Sequence, residues 1–263
     1  MRVTFDSNTF DKVSRPSVYA KDAAYADMVE IHEALKRGDV QSFISDTAIT
    51  LEGIGLDRRA VVFGGTVARS SIARTSDHAF RVTVMPEQPD RRPVHPKQVE
   101  RFREAFGLGI RLLRSLRAGG REAEQQFYVV EDPAQLGERL ARQHDLAHEV
   151  EKRGFGCRRA EQLAVRLARG APSSGPWFTS LGNARDIHET REVGRAIAEW
   201  ADGDSVAAHY GYGIDFFCTL DEGKGESRRG DPAILDATNR VWLTAQYGIQ
   251  FATITELSRK FRR

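Results

Sequence analysis

Four acidic residues stand where apolar runs end or helical patterns begin, spread over almost the whole chain. They are Asp6 in Val3-Thr4-Phe5-Asp6-Ser7-Asn8, Glu52 at the end of Thr47-Ala48-Ile49-Thr50-Leu51-Glu52, Asp204 in Gly203-Asp204-Ser205-Val206-Ala207-Ala208, and Asp221 after Phe216-Phe217-Cys218-Thr219-Leu220. Parallel α/β sheets collect the carboxyl ends of their strands along one edge, so acids far apart in sequence can meet there. Carboxylates gathered in one place repel one another, and a hard divalent cation with oxygen ligands relieves that repulsion. The chemistry this predicts is metal-assisted cleavage of a phosphodiester bond. Each acid also has a plainer role open to it. Asp6 before Ser7-Asn8 suits a turn, Asp204 an N-cap, Glu52 a solvated helix and Asp221 a loop. Asp202, Asp186 and Glu189 are rivals for the same site. Asp215 precedes its strand and so belongs at the opposite edge.

The elements that must position these acids follow from the hydrophobic pattern. Arg2 to Phe5 reads as a strand. Tyr25, Met28, Ile31 and Leu35 repeat at helical spacing through a segment that starts near Asp22 and ends at Arg37, with Gly38 as its cap. Gln41 to Ser45 is a second strand, and Asp46 an N-cap for the helix that carries Glu52. Helical patterns span Lys97–Arg117, Pro133–Arg153 and Arg158–Arg169 after a strand at Ala79–Met85. The α/β alternation resumes near Arg185. A helix runs from Ile187 to Trp200, and a shorter one from Ser205 to Tyr210 places Asp204 at its start. Then come a strand at Asp215–Thr219, a helix opened by Asp231-Pro232 and reaching Tyr247, a strand at Ile249–Thr253 and a short tail helix. The expected architecture is a three-layer α/β/α fold with a central parallel sheet. Residues 1–62 and 186–263 form its two halves, and residues 63–185 are a mainly helical insertion.

These residues resemble the PIN-domain nucleases. Val3-Thr4-Phe5-Asp6-Ser7-Asn8-Thr9-Phe10 is similar to that family's opening strand and first acid. The run from Gly203 to Asp221 is the stronger likeness, with an acid on an Ala-rich helix, an apolar strand, and Thr219-Leu220-Asp221 as a Thr-x-Asp. Tyr247-Gly248-Ile249-Gln250-Phe251 resembles the family's last strand. The likeness covers residues 1–60 and 186–257. It implies one or two Mg²⁺ or Mn²⁺ ions held by Asp6, Glu52, Asp204 and Asp221. It further implies RNA as substrate, cut to leave a 5′-phosphate and a 3′-hydroxyl. Thr219 would orient Asp6 or hold a water, and Asn8 or Ser7 would touch a phosphate. A structure-specific DNA nuclease and a non-catalytic binding or assembly module are the alternative readings.

Charge and composition set outer limits. The 263 residues are 29% charged and 40% hydrophobic with a formal net charge of +2, so total charge does not argue for a polyanionic partner. Residues 90–169 carry 17 Lys and Arg against 12 Asp and Glu, a local excess of +5. Arg111 and Arg114 lie on the Lys97–Arg117 helical pattern, where they would contact RNA phosphates. The apolar face beside them would serve packing, a homo-oligomer or a protein partner. His144 and His148 are spaced one helical turn apart but lack a third ligand, and read as a surface pair. Gly107-Leu108-Gly109 and Gly211-Tyr212-Gly213 lack the rest of a dinucleotide fingerprint. Two cysteines, no apolar run of membrane length and no leader-like start point to a cytoplasmic protein.

Overall fold

The computed structural model describes residues 1–52, 54–55, 58–64, 67–76, 79–87, 96–116, 125–170, 176–220 and 232–261, with 51–52, 67–76, 79–87 and 96–99 described by backbone alone. Five strands form an all-parallel sheet: β1 (Arg2–Phe5), β2 (Gln41–Ser45), β5 (Arg111–Leu113), β6 (Phe216–Cys218) and β7 (Gln250–Ala252), in the order β5-β2-β1-β6-β7. The remaining strands, β3 (Val67–Ser76) and β4 (Ala79–Glu87), pair antiparallel as a separate hairpin. Helices flank the large sheet on both faces, as the sequence predicts.

The two faces follow from strand alternation. Val3, Phe5, Ile44, Leu112 and Cys218 enter one core, packed by α1 (Ser7–Ser14), α2 (Tyr25–Arg37), α5 (Pro96–Gly107) and the last helix, α10 (Ile254–Phe261). On the other face Phe217 packs with Leu146, Val150, Val206 and Leu243, while Phe43 and Leu113 pack with Ala208. These come from α6 (Leu136–Lys152), α8 (Ile187–Gly211) and α9 (Ala237–Tyr247). Covered on both sides, the strands place apolar residues on both faces, as parallel strands do.

Three expectations change. The helical pattern at Lys97–Arg117 is a helix followed by a strand. Gly109, at φ 88°, ends the helix, and Ile110 onward turns into β5, which pairs with β2. Residues 63–185 are therefore not all insertion: they supply the sheet's edge strand and the helix before it, together with the hairpin. The two helices expected on either side of Asp204 are one 25-residue helix. Gly203, just before the expected helix start at Asp204, lies inside α8, where a Cβ would sit 2.9 Å from the Gly156 Cα. It is a contact glycine rather than a terminus. Finally, Ser7-Asn8 is not a turn. It opens α1, with Asp6 as the N-cap.

A third apolar cluster lies away from the sheet. α4 (Arg59–Gly64), α7 (Cys157–Ala168) and a 3-10 segment (Trp177–Asn183) pack on the amino-terminal half of α8. Gly64 and Gly182 let two backbones cross there, since a Cβ on Gly64 would sit 2.5 Å from the Gly182 Cα. Among the described residues no helix is long and apolar enough to cross a membrane.

Candidate active site

The strand order runs outward from β1 in both directions, first to β2 and β5, then to β6 and β7. The chain thus reverses its direction of winding between β1 and β6, and in open α/β sheets ligands bind at the carboxyl ends of such a pair. Asp6 follows β1 and Thr219 follows β6. The Thr219 hydroxyl donates to Asp6 Oδ2 at 2.8 Å, while the Ser7 N–H donates to Asp6 Oδ1 at 2.7 Å. The carboxylate is thereby fixed in orientation at the switch point. The strand ends are tied by two donors to the Cys218 carbonyl, the Asp6 N–H and the Thr9 hydroxyl, both at 2.9 Å. Asn8 Oδ1 accepts from the Leu220 N–H at 3.1 Å, so Asn8 pins the chain as it leaves β6. Asp221, the next residue, lies outside the described residues, as does the Glu52 side chain at the end of α3 (Asp46–Glu52).

Asp204 reaches the same level from the other face. The seven residues back from Gly211 to Asp204 rise about 10 Å along α8. The three steps from Phe216 to Thr219 climb about 10 Å in the strand direction. Because α8 runs antiparallel to the strand it feeds, Asp204 comes level with Thr219. Its Oδ2 accepts from the Thr47 hydroxyl at 3.2 Å, and Thr47 lies two residues beyond the end of β2. So Asp204 is at the expected edge but in mid-helix rather than at a helix start. A further 17 residues of α8 extend about 25 Å past that edge. The α4, α7 and 177–183 cluster forms a wall against this extension.

Asp46 is an acid whose sequence context suggests only a cap. It follows β2 as Asp6 follows β1, and its burial matches that of the other two: 6% exposed, against 5% for both Asp6 and Asp204. Its oxygens accept from the Ser115 N–H at 3.0 Å and the Tyr128 hydroxyl at 3.5 Å. Burial pushes its carboxyl above the usual range, outweighing hydrogen bonds from Ser115 and Thr47 and the nearby charge of Arg114. The signal available in the sequence was the repeated pattern of a short apolar strand ending directly in Asp.

The two arginines part company. Arg114 stands just past β5, near Asp46, with its guanidinium 4.0 Å from the centroid of the Tyr128 ring and a 2.5 Å hydrogen bond to Gln125 Oε1. Arg111 begins β5, at the amino edge, and donates to the carbonyls of Phe106 and Ile110. It closes the end of α5 and is not brought to the acids, because the two residues belong to a strand and its exit rather than to one helix face. His209, a neighbour of the site in sequence, is core. Its Nδ1 is 2.9 Å from Thr4 Oγ1, and burial drives its pKa down to about 3. His188 and the His144–His148 pair are exposed. Asp215 lies at the amino edge, as expected, accepting from the Arg2 N–H at 2.8 Å.

Among the described residues, no three His, Cys, Asp or Glu side chains are grouped so as to hold a metal ion. The described acids of the proposed cradle are Asp6 and Asp204, and the two other expected ligands lie outside that set. Comparison with protein-family models, with curated proteins and with solved structures finds no match.

Proposed function

We propose that the chain is a PIN-like, divalent-metal-dependent endoribonuclease that cuts at the carboxyl edge of its sheet. One observation carries the reading: a buried carboxylate, Asp6, is held by the Thr219 hydroxyl at the switch point, by residues 213 positions apart. Asp204, level with Thr219 on the opposite side, supplies a second buried carboxylate. Carboxylate and hydroxyl oxygens are the donors that Mg²⁺ and Mn²⁺ prefer. Asp6, Asp204, Glu52 and Asp221 would hold the ion. Such an ion makes water nucleophilic near neutral pH and offsets charge on the leaving oxygen.

The chain's own residues do the rest. Thr219 and the Ser7 N–H fix the Asp6 carboxylate, so no reorientation is needed when substrate arrives. Asn8 holds the Leu220 backbone and so sets where Asp221 begins. Arg114 offers a positive charge on the β5 side of the edge, suited to a phosphate. A cytoplasmic place accords with two buried cysteines that are not joined in a disulfide.

A second reading, a binding or assembly module, is favoured by the hydrogen bonds that already engage Asp46 and Asp204. Incubation of the purified protein with end-labelled RNA and DNA, in Mn²⁺, Mg²⁺ or EDTA, separates the two. Cleavage of RNA that EDTA abolishes and Asp6→Asn removes is the expected result. Cleavage of DNA alone changes the substrate class. No cleavage of either, in any metal, overturns the catalytic reading in favour of assembly.

A further inference from the structure

The wall that rises past the acidic edge is aromatic on the side of Asp204. Trp200 precedes Asp204 by four residues in α8, so the two side chains are neighbours on one face, with Cβ atoms about 5–6 Å apart. Trp177 and Phe63 close on Trp200, their ring centroids 5.6 and 5.9 Å from its own and their planes inclined by 44° and 49°. Phe178 meets Trp177 edge-on at 5.7 Å. Trp200 is buried, whereas Trp177, Phe178 and Phe63 are only half-buried.

Among the described residues, the indole N–H of Trp200 is sealed from water and has no acceptor. A buried indole N–H ordinarily finds a partner. Trp200 meets Trp177 through its ring, in a tilted contact. The crossing of Gly64 and Gly182 draws α4 and the 177–183 segment together and brings Phe63 and Trp177 onto the same indole.

We infer that Trp177, backed by Trp200 and Phe63, is a stacking platform for an unpaired base of a nucleotide flanking the scissile phosphate. This rests on the nuclease reading, because continuity with Asp204 is what selects a base as the occupant. Every base has a π-face, so such a platform accepts single strands with little regard to sequence. Paired bases are already stacked on their neighbours and offer no free face. The site would thus take single-stranded segments, loops or ends, and would not take continuous duplex.

The test uses intrinsic fluorescence. The chain has three tryptophans, and Trp242 belongs to a different cluster, so Trp242→Phe leaves only the platform pair to report. In an Asp6→Asn, Trp242→Phe background, single-stranded RNA should quench the emission while a duplex of the same sequence should not. With Asp6 intact, Trp177→Ala should weaken binding roughly tenfold or more, seen as a raised KM with kcat unchanged at saturation. Trp177→Phe should recover most of the affinity. Should Trp177→Ala fail to fold, Trp177→Leu fills the space without a flat ring and should show the same loss. Absence of quenching, equal quenching by duplex, or unchanged affinity in Trp177→Leu overturns the platform. Quenching without cleavage in any metal sinks the nuclease reading alone, and cleavage without quenching sinks the platform alone.

Discussion

At the amino edge of the sheet, four helices turn back into strands through short links, each with a glycine at positive φ: Gly38, Gly109, Gly213 and Gly248. At the carboxyl edge these four strands run out into Asp46, Arg114-Ser115, Thr219 and Thr253, and β1 into Asp6; the chain's long excursions leave from this side. The first edge is closed locally, with backbone groups satisfied within the turn, as the Gly248 N–H on the Thr244 carbonyl illustrates. The second buries carboxylates, which folding alone would not favour. The proposed function sits on the edge loaded with buried acids, not on the one closed by glycine turns.

Three changes would break or sharpen that contrast. The largest effect is expected in the apolar layer between the edges, at His209. Its pKa is lowered from 6.5 to about 3 by burial, so the unfolded chain takes up a proton that the folded one refuses. The neutral ring's contribution is complete above pH 6.5 and is lost as pH falls towards 3, by up to about 1.4 kcal/mol per pH unit. Denaturant titrations across that window should show the wild type losing stability, and His209→Gln flattening the slope. An unchanged slope would contradict the burial argument.

Next comes Thr219→Val at the carboxyl edge. It removes the hydrogen bond that orients Asp6 and should lower the cleavage rate about 10- to 100-fold with little change in melting temperature. A drop in stability with activity retained would make Thr219 a packing residue instead. The smallest effect belongs to the amino edge. Gly248 sits at φ 68° with nothing within 4 Å of an added Cβ, so Gly248→Ala meets only backbone strain. Thermal melts should register a loss of about 1–2 kcal/mol, while cleavage at 25 °C stays at the wild-type rate. A loss of cleavage there would mean that the two edges are not independent.

The sequence showed most of the architecture where local signals and tertiary contacts agree. The periodicity of Met28, Ile31 and Leu35 and the caps at Gly38 and Gly248 place α2 and the return to β7 correctly. It misled where a signal has two physical origins. Asp204 after Gly203 reads as a helix start, but the missing Cβ of Gly203 serves contact with Gly156 inside α8. Arg111 and Arg114 read as one helix face, because a three-residue strand such as β5 has no periodicity of its own and is defined only by pairing with β2. Asp46 was hidden by its second role, since an N-cap and an edge acid look alike until burial is known. For Asp6 the same dual role did no harm, as the cap of α1 and the proposed ligand occupy one position.

Asp6 is proposed to anchor a divalent cation at this edge. Titration of Mn²⁺ into the purified protein, followed by the loss of the free-ion electron paramagnetic resonance signal, addresses it without reference to any substrate. Saturable binding by the wild type that Asp6→Asn abolishes, in a variant whose melting temperature is not lowered, is the predicted result. Wild-type protein that binds no Mn²⁺, or binding that survives Asp6→Asn undiminished, would contradict it.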